Sequence, residues 1–363
     1  MARHSRTRVR SWPRWVRRTR FARVTLAVLA LTAVGIAAWQ AGSSATSSGS
    51  STPAPPIYLG VAASNVPTAA AASSSGGSAS YSGFPDASTT GVPTGTTLTQ
   101  VPAQATSGTG WRWDGNHTVV VTAPNTTITG LDINGSLTNT YPGVTIKNTR
   151  IRCTNENNWC LTLGGPNATV TDTDIGGGAN GTTYMHGIGV LSGGTNLNNL
   201  IQRVNIHHTI HGARIDGGTT VTDSYIHDLP MGDPVYNNAT GTYSTTDHTD
   251  GIMSTGGNGT LITHNRVECG NTSTMFVQWE SDQPQISSFT IQNNLFVNIS
   301  KNNQVSSQGV AFEDKGIANP AGITIKNNTF TPGWQVAAIE APTGSNVTGN
   351  VFTNTSPASH YWV

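Results

Sequence analysis

The sequence predicts an all-β fold, a single-stranded right-handed parallel β-helix with a solenoid of about 8–10 rungs. Three observations favour it. Charged residues make up only 10% of the chain while glycine reaches 41 residues, a composition typical of turns and pleated surfaces rather than helices. A six-residue pattern recurs eight times, and asparagine fills its fourth position in four successive copies. Stacked short strands explain all three observations.

The repeat has a β-branched residue, a polar residue, two turn-type residues, a variable position and an apolar residue. Its shortest spacings suit one turn of a solenoid, and the longer ones indicate the same turn with an inserted loop. A second, shorter strand pattern falls between the copies. The eight copies are Ile146–Ile151, Val170–Ile175, Ile201–Ile206, Val221–Ile226, Ile262–Val267, Ile291–Phe296, Ile325–Phe330 and Val347–Phe352.

The four asparagines at the fourth position are Asn265, Asn294, Asn328 and Asn350. Asparagine tolerates the left-handed backbone that a tight bend requires. At the spacing of about 4.8 Å between neighbouring strands, the four side chains are expected to hydrogen-bond as a ladder.

The chain divides into three predicted parts. Residues 1–40 read as a signal peptide or signal anchor, because nine arginines within the first 23 positions precede an apolar run from Val24 to Trp39. Residues 41–83 are rich in Ser, Ala, Gly and Pro and are expected to form a flexible linker. Residues 84–363 would be the β-helix domain. We therefore expect an extracellular protein, secreted or held at the cell surface by an uncleaved N-terminal helix.

The charge of the expected domain limits its partners. The whole chain carries +1, but without the nine N-terminal arginines ten basic residues face 18 acidic ones, a net charge of −8. Phosphate binding needs Lys and Arg, so nucleic acid is excluded as a partner. Contact with a membrane is expected only through the N-terminal segment, and the domain is expected to be monomeric.

Cysteine usage fits an oxidising compartment. Cys153 and Cys160 bracket a short polar loop and could close a small disulfide. Cys269 lies several rungs from Cys153 in the same column, so we expect a buried thiol there.

Reactive side chains concentrate between His186 and Glu268. The register places His186, His211 and Asp250 in one column, and His207 and His227 in another with Glu268 next in line. The predicted catalytic residues are His227, Asp228, His248 and Asp250. The predicted substrate-binding residues are His207, His211, Arg214, Tyr236, Tyr243 and Trp279.

Several chemistries suit these residues. Histidine beside a carboxylate serves as a general acid or base near neutral pH, and Asp228 with Asp250 could serve glycoside hydrolysis. Elimination or epimerisation would need a cation to stabilise the enediolate. Arg214 alone offers one in the cluster, so that route favours a bound Ca²⁺. Asp247 and Asp250 are the predicted metal ligands, and a site formed by His227, His248 and Asp250 is the alternative.

Several motifs resemble those of secreted actinobacterial right-handed parallel β-helix repeat proteins, which belong to the pectate-lyase-like superfamily. The resemblance covers residues 84–363 and implies the β-helix fold and a polysaccharide lyase, hydrolase or epimerase. Met253 departs from it, because relatives tend to carry Gln after the Asp-Gly-Ile triplet. The motifs are Phe84–Asp86, Thr90–Thr99, Arg203–His207, Asp223–Asp228 and His248–Ile252.

The leading hypothesis is therefore a carbohydrate-active protein acting on a polysaccharide, as a pectate-lyase-like lyase or a glycoside hydrolase. A non-catalytic polysaccharide- or surface-binding solenoid is the second hypothesis, with aromatic residues stacking on sugars. A uronan C5-epimerase is a further alternative.

Overall fold

Each copy of the repeat folds as two short strands joined by a sharp bend. A computed structural model describes residues 81–154, 159–194, 196–237, 240–245, 248–268, 271–278, 286–313 and 321–362. The described strands form three main sheets, here called A, B and C. The β-branched first residue of each copy lies on a strand of sheet C, and the apolar sixth residue lies on a strand of sheet A. A longer strand in sheet B completes each turn. The predicted all-β parallel β-helix is confirmed, and no α-helix occurs among the described residues.

The three sheets run along the solenoid with parallel strand pairing from rung to rung. Within the described residues the strands of sheet A are Thr99–Val101, Leu131–Asn134, Arg150–Cys153, Asp174–Gly177, Asn205–His207, Tyr225–His227, Arg266–Glu268, Leu295–Val297, Thr329–Phe330 and Val351–Phe352. Those of sheet C are Thr127–Thr129, Thr145–Lys147, Thr169–Thr171, Leu200–Gln202, Thr220–Thr222, Leu261–Thr263, Thr290–Gln292, Thr324–Lys326 and Asn346–Thr348.

Sheet B carries the longest strands and two hairpin strands that leave its main path. Its path contains Ser107–Gly108, Trp111–Trp113, Thr118–Val121, Ser136–Asn139, Trp159–Leu163, Met185–Ser192, Thr209–Ile215, Asp250–Ser254, Ser273–Gln278, Gln308–Glu313, Ala337–Ala341 and His360–Trp362. The antiparallel hairpin Pro234–Asn237 with Thr242–Thr245 joins it through Met185. A separate small hairpin pairs Ser300–Lys301 with Gln304–Val305.

The bend between sheets C and A lies one residue earlier than the sequence predicts. The third residue of every copy has a left-handed backbone, with φ of 50° at Arg203 and 54° at His264. The prediction that the fourth residue adopts this conformation was wrong. The fourth residue instead points into the solenoid, where it is buried in all eight copies.

The asparagine ladder at this fourth position is confirmed. Asn265, Asn294 and Asn328 each donate from Nδ2 to the Oδ1 of the asparagine on the next rung, at 2.9 to 3.0 Å. The same Oδ1 atoms accept the backbone N–H groups of those three residues. Because every amide finds partners, these polar side chains are buried without unsatisfied groups.

The core is a stack of apolar residues with an additional rung before the first predicted one. Ile128 and Ile133 are fully buried and pair in register with Ile146 and Ile151. The sequence analysis did not recognise residues 128–133 as a copy of the repeat, because Gly130 and the apolar Leu131 occupy the two turn positions. Toward the C-terminus the core becomes aromatic, with Phe296 stacked on Phe330 at 5.1 Å between ring centroids.

The predicted column of His186, His211 and Asp250 is wrong at its first member. His211 pairs with Asp250 as predicted, but its partner on the preceding rung is Ile188. A bulge after Met185, which pairs with Thr209, shifts the register.

Several expectations fall on residues outside the described ranges. These are the export segment and most of the linker, within residues 1–80, together with Asp247, Cys269 and Trp279. Cys153 and Cys160 are joined by a disulfide, with their Cα atoms 5.0 Å apart. Among the described residues, no helix has the length and apolar character to cross a membrane.

Candidate functional site

The structure distributes the predicted site residues over two groups on adjacent sheets. The sheet A histidine group contains His207, His208, His227 and Asp228, at the end of two neighbouring strands. The sheet B histidine group contains His211, His248 and Asp250. The sequence treats these residues as one cluster.

His207 and His227 are adjacent because they close equivalent strands on successive rungs. The two residues pair in register, and their ring centroids are 5.4 Å apart. The ring of His227 also stacks on Tyr225 at 4.0 Å. Only 12% and 13% of the two histidine side chains are exposed, so this group forms the wall of the site rather than a protruding surface.

Both ring nitrogens of His227 face oxygen acceptors. Nδ1 lies 2.8 Å from Oδ2 of Asp228, and Nε2 lies 2.9 Å from Oδ1 of Asn205. The amide of Asn205 is oriented by its own Nδ2, which donates to Oδ2 of Asp174 at 3.0 Å. This network is fully satisfied only when both His227 nitrogens carry hydrogen. Both ring nitrogens of His227 are therefore held by the network, which fixes the position of the ring.

Asp228 turns back onto this histidine through a left-handed backbone, with φ of 48°. The hydrogen bond from His227 holds the pKa of Asp228 at about 2, against the raising effect of partial burial. The side chain is 59% exposed, so its outer face remains open to solvent. Asp228 is consequently a permanent carboxylate at neutral pH.

His208 is a member of the site that the sequence analysis missed. Its Nδ1 lies 2.8 Å from Nδ1 of His207, so one ring donates and the other accepts. Its ring stacks on Tyr184 at 5.0 Å, and the Tyr184 hydroxyl accepts a hydrogen bond from Nζ of Lys301. Burial lowers the pKa of His208 to about 4. No repeat position marks this residue, because it occupies a left-handed turn just after the strand.

The sheet B group centres on a buried carboxylate. Asp250 begins its strand with none of its side chain exposed, and burial raises its pKa to about 6. Its Oδ1 accepts the backbone N–H of Ser273 at 3.2 Å. Its Oδ2 has no hydrogen-bond partner among the described residues. Nδ1 of His211 and Nδ1 of His248 lie 3.5 and 3.6 Å from that oxygen.

The two histidines of this group differ in exposure. The side chain of His211 is 14% exposed, whereas that of His248 is 56% exposed. Their rings meet edge to face at 5.6 Å, and His248 also contacts Phe276 edge to face at 6.1 Å. A ligand can therefore reach the buried carboxylate from the side of His248.

Arg214, predicted to bind substrate, participates in a different contact. Its Nη2 donates to Oγ1 of Thr255 at 2.7 Å. The hydroxyl of Thr255 in turn donates to Oδ1 of Asp216, which also accepts the Thr255 backbone N–H. These contacts give Arg214 a structural role at the end of its strand.

Two hollows lie on either side of the loop formed by residues 178–183. The first, of about 260 Å³, is lined by Arg150, Arg152, Asp174 and His207. Its charges are largely balanced, since Arg152 binds both carboxylate oxygens of Asp132 at 2.8 Å. The sequence analysis missed both arginines because they lie one rung before the predicted region, which begins at His186.

The second hollow, of about 290 Å³, has an aromatic wall. Tyr236 and Tyr243 of the sheet B hairpin line it together with Met185. Their rings are 5.1 Å apart, and Tyr243 is 63% exposed. This pair matches two of the predicted substrate-binding residues.

The described donors do not fit the Ca²⁺ ion expected for this site. Ca²⁺ takes six to eight oxygen ligands, whereas the groups that face Asp250 here are the imidazoles of His211 and His248. The predicted partner Asp247 lies outside the described residues. A borderline metal such as Zn²⁺ accepts this mixture of nitrogen and oxygen.

Comparison with known proteins places the chain among proteins of similar fold. No family model and no curated protein matches it. Among solved structures, pectate lyase Pel9A is similar with 13% identity and a TM-score of 0.36, over 68% of this chain and 64% of that chain. The Dettilon tailspike protein is similar with 16% identity and a TM-score of 0.34, over 68% of this chain and 60% of that chain.

The chain thus spans somewhat less than two thirds of the length of either structure. The class of protein is defined by its own strand register: a right-handed parallel β-helix with two histidine–carboxylate groups on adjacent sheets. This register confirms the β-helix fold that the sequence predicts.

Proposed function

We propose that this protein is an extracellular carbohydrate-active enzyme that binds a polysaccharide beside residues 178–183 and cleaves it, by elimination or by hydrolysis. The observation that carries the proposal is that the Tyr236–Tyr243 wall and a histidine–carboxylate group belong to the same sheet. Binding surface and reactive side chains are then contributed by one stretch of the solenoid.

The tyrosine hairpin supplies the binding surface. An exposed aromatic ring offers a flat apolar face for a sugar ring, and its hydroxyl adds a hydrogen bond. Met185 pairs in register with Tyr236 of the hairpin and with Thr209 of the next rung, and Thr209 lies two residues before His211. At about 4.8 Å per rung and about 3.3 Å per residue, the tyrosines and His211 lie on the order of 10 Å apart. One polysaccharide chain can contact both.

The hollow on the other side of the loop suits further sugar units. Arg150 and Asp174 present hydrogen-bonding groups to it, and Arg150 is 40% exposed. Because nearby carboxylates balance the arginines, this surface recognises hydroxyl groups and carboxylates alike. The geometry does not select between neutral and acidic sugars.

Cleavage is assigned to the sheet B histidine group. His248 is exposed enough to touch a bound chain, and Asp250 and His211 lie directly behind it. His227 and Asp228, expected to be catalytic, are proposed here as positioning residues, because both ring nitrogens of His227 are already engaged, one of them by Asp228. Epimerisation would begin with the same proton abstraction as elimination, and product analysis distinguishes the two.

A non-catalytic polysaccharide-binding solenoid is the second candidate. The observation that favours it is the 63% exposure of Tyr243, which is typical of a binding surface and requires no reactive group.

The test is incubation of the full chain with a panel of plant, algal and bacterial glycans. Unsaturated uronate ends, followed by their ultraviolet absorbance, would report elimination, and reducing ends without unsaturation would report hydrolysis. We expect one of these signals and expect it to disappear in His248→Gln, an exposed position where folding is not at risk. His360→Gln, an exposed histidine on the last sheet B strand, is the matched control.

Binding is tested separately with Tyr243→Ala. Loss of one stacking ring should weaken affinity about tenfold, while Trp362→Ala, an exposed aromatic on the last strand, should leave it unchanged. Glycan binding without either cleavage signal would sink the enzymatic proposal in favour of the second candidate. Unchanged affinity in Tyr243→Ala would show that the hollow at the tyrosine pair is not the sugar site.

A further inference from the structure

We propose that His211, His248 and Asp250 bind one divalent transition-metal ion of the zinc class, through Nδ1 of each histidine and Oδ2 of the aspartate. This goes beyond the proposed function, since a metal could bind here whatever the protein does with carbohydrate. The three groups come from two neighbouring strands of sheet B and the residues that lead into the second strand.

The spacing of the three atoms is the first argument. Oδ2 of Asp250 lies 3.5 Å from Nδ1 of His211 and 3.6 Å from Nδ1 of His248. The three ligand atoms all fall within 4.8 Å of one another. These separations are too long for hydrogen bonds. Atoms that each lie about 2.0–2.1 Å from one tetrahedral Zn²⁺ are about 3.4 Å from each other. The two distances to Oδ2 of Asp250 are close to that value.

The buried oxygen is the second and independent argument. Oδ2 of Asp250 is buried, and it has no hydrogen-bond partner within the part of the chain that the structure describes. An ionised carboxylate oxygen in such a position costs free energy unless a cation or donor compensates it. This is the same atom to which both histidine distances converge, so a cation between the three groups accounts for the oxygen and the spacing together.

Neighbouring contacts already orient two of the ligands. The backbone N–H of Ser273 donates to Oδ1 of Asp250 and leaves Oδ2 directed toward the histidines. Nδ1 of His211 accepts the backbone N–H of Asp250 at 3.2 Å, so that nitrogen carries no hydrogen, as metal coordination requires. An incoming ion would replace this long hydrogen bond. The contact from Ser273 to the other oxygen of Asp250 is of the kind that fixes ligands in metal sites.

The ligand set and its exposure indicate the kind of ion. Two imidazoles and one carboxylate are typical of catalytic zinc sites, where a fourth position stays open for water or substrate. His248 is 56% exposed, which gives the ion a route of entry and an open side. An ion bound there would supply a Lewis acid on the same sheet as the tyrosine hairpin.

The test is metal binding by the full chain after treatment with a chelator, without any glycan. Zn²⁺ is titrated by calorimetry, and Co²⁺ is added as a spectroscopic probe whose visible absorption reports tetrahedral nitrogen–oxygen coordination. We expect one equivalent of Zn²⁺ to bind and to raise the thermal midpoint of unfolding. Asp250→Asn and His248→Gln should each weaken binding by about a hundredfold or more, whereas His360→Gln should bind like the unchanged protein.

Absence of saturable Zn²⁺ binding would overturn the proposal, as would binding that His248→Gln and Asp250→Asn leave unchanged. His248→Gln decides the matter alone if the buried Asp250→Asn variant fails to fold. The readout involves no glycan, so metal binding without cleavage contradicts the proposed function only, and cleavage without metal binding contradicts this inference only.

Discussion

The sheet A and sheet B histidine groups contain the same residue types but differ in how completely their polar atoms are bonded. In the sheet A group both nitrogens of His227 face oxygens at 2.8 and 2.9 Å. In the sheet B group the buried Oδ2 of Asp250 has no hydrogen-bond partner among the residues described, and two imidazoles lie just beyond hydrogen-bonding distance. Side chains whose polar atoms are all hydrogen-bonded are fixed in position, whereas a buried polar atom without a partner indicates a ligand-binding position.

The largest expected difference is in catalysis. Asp250→Asn should lower the rate of glycan cleavage by about a thousandfold, since it removes a reactive carboxylate. Asp228→Asn should lower it by less than about tenfold, because it only loosens the wall of the site. Initial rates measured at equal concentrations of folded protein check this. Equal losses in the two variants would contradict the division between the groups.

The two groups should also differ in their contribution to stability. His227→Phe removes the donors to Asp228 and Asn205 and should lower the free energy of unfolding by about 2 kcal/mol. Asp250→Asn should leave that free energy unchanged or raise it in metal-free protein, because it removes an uncompensated buried charge. Urea unfolding after chelator treatment measures both, provided that the slope against denaturant is equal. A large destabilisation by Asp250→Asn would show that its carboxylate is already compensated.

The smallest expected effect is the pH dependence that His208 gives to stability, measured in an Asp250→Asn background. That background is needed because folding raises the pKa of Asp250 to about 6, which acts in the opposite direction over the same pH range. The pKa of His208 falls from 6.5 to about 4 on folding, chiefly through burial, with the charges of His207, His227, Asp228 and Lys301 acting on it as well. The unfolded chain therefore binds more protons than the folded chain between these values, and stability falls as the pH drops from 6.5 to about 4.

We expect a loss of about 1–2 kcal/mol over this range, because solvent reaches part of the ring. Unfolding at several pH values measures it. His208→Asn, which keeps a residue that tolerates the left-handed backbone, should flatten the dependence. The pKa of Asp228 falls from 3.8 to about 2, so that carboxylate acts below this window. An unchanged slope in His208→Asn would assign the pH dependence to other groups.

The fold was predictable because its signal is repeated. One apolar residue before the bend and one after it recur in every rung, and the asparagines of the ladder mark the stacking directly. The conformation of the bend was assigned one residue late. From the sequence alone, asparagine at the fourth position is typical of a turn residue. The structure shows that Asn294 points inward and is buried, whereas Asn293 beside it has the left-handed backbone.

The site was predictable in membership but not in grouping. The register puts His207 beside His227 and His211 beside Asp250, and periodicity alone supplies that. The chain passes from sheet A to sheet B at His208, between the strands Asn205–His207 and Thr209–Ile215. The repeat pattern does not extend to this corner, so it does not predict the change in direction of the chain. Sequence therefore merged two groups into one, and it misplaced His186 because the bulge after Met185 leaves no mark in the periodicity.

The asparagine ladder makes the length of this protein an adjustable property. Asn294 and Asn328 each donate one amide hydrogen to the asparagine of the next rung and the other to a backbone carbonyl of the preceding rung. The oxygen of each accepts from the asparagine of the preceding rung, so both rungs make the same contacts with their neighbours. A duplicated rung inserted at Asn294 could make the same hydrogen bonds to the rungs on both sides of it. Duplication of the coding sequence for a single turn could thus lengthen the solenoid by one rung that repeats the existing core residues. The rungs that carry the two histidine groups would stay unchanged.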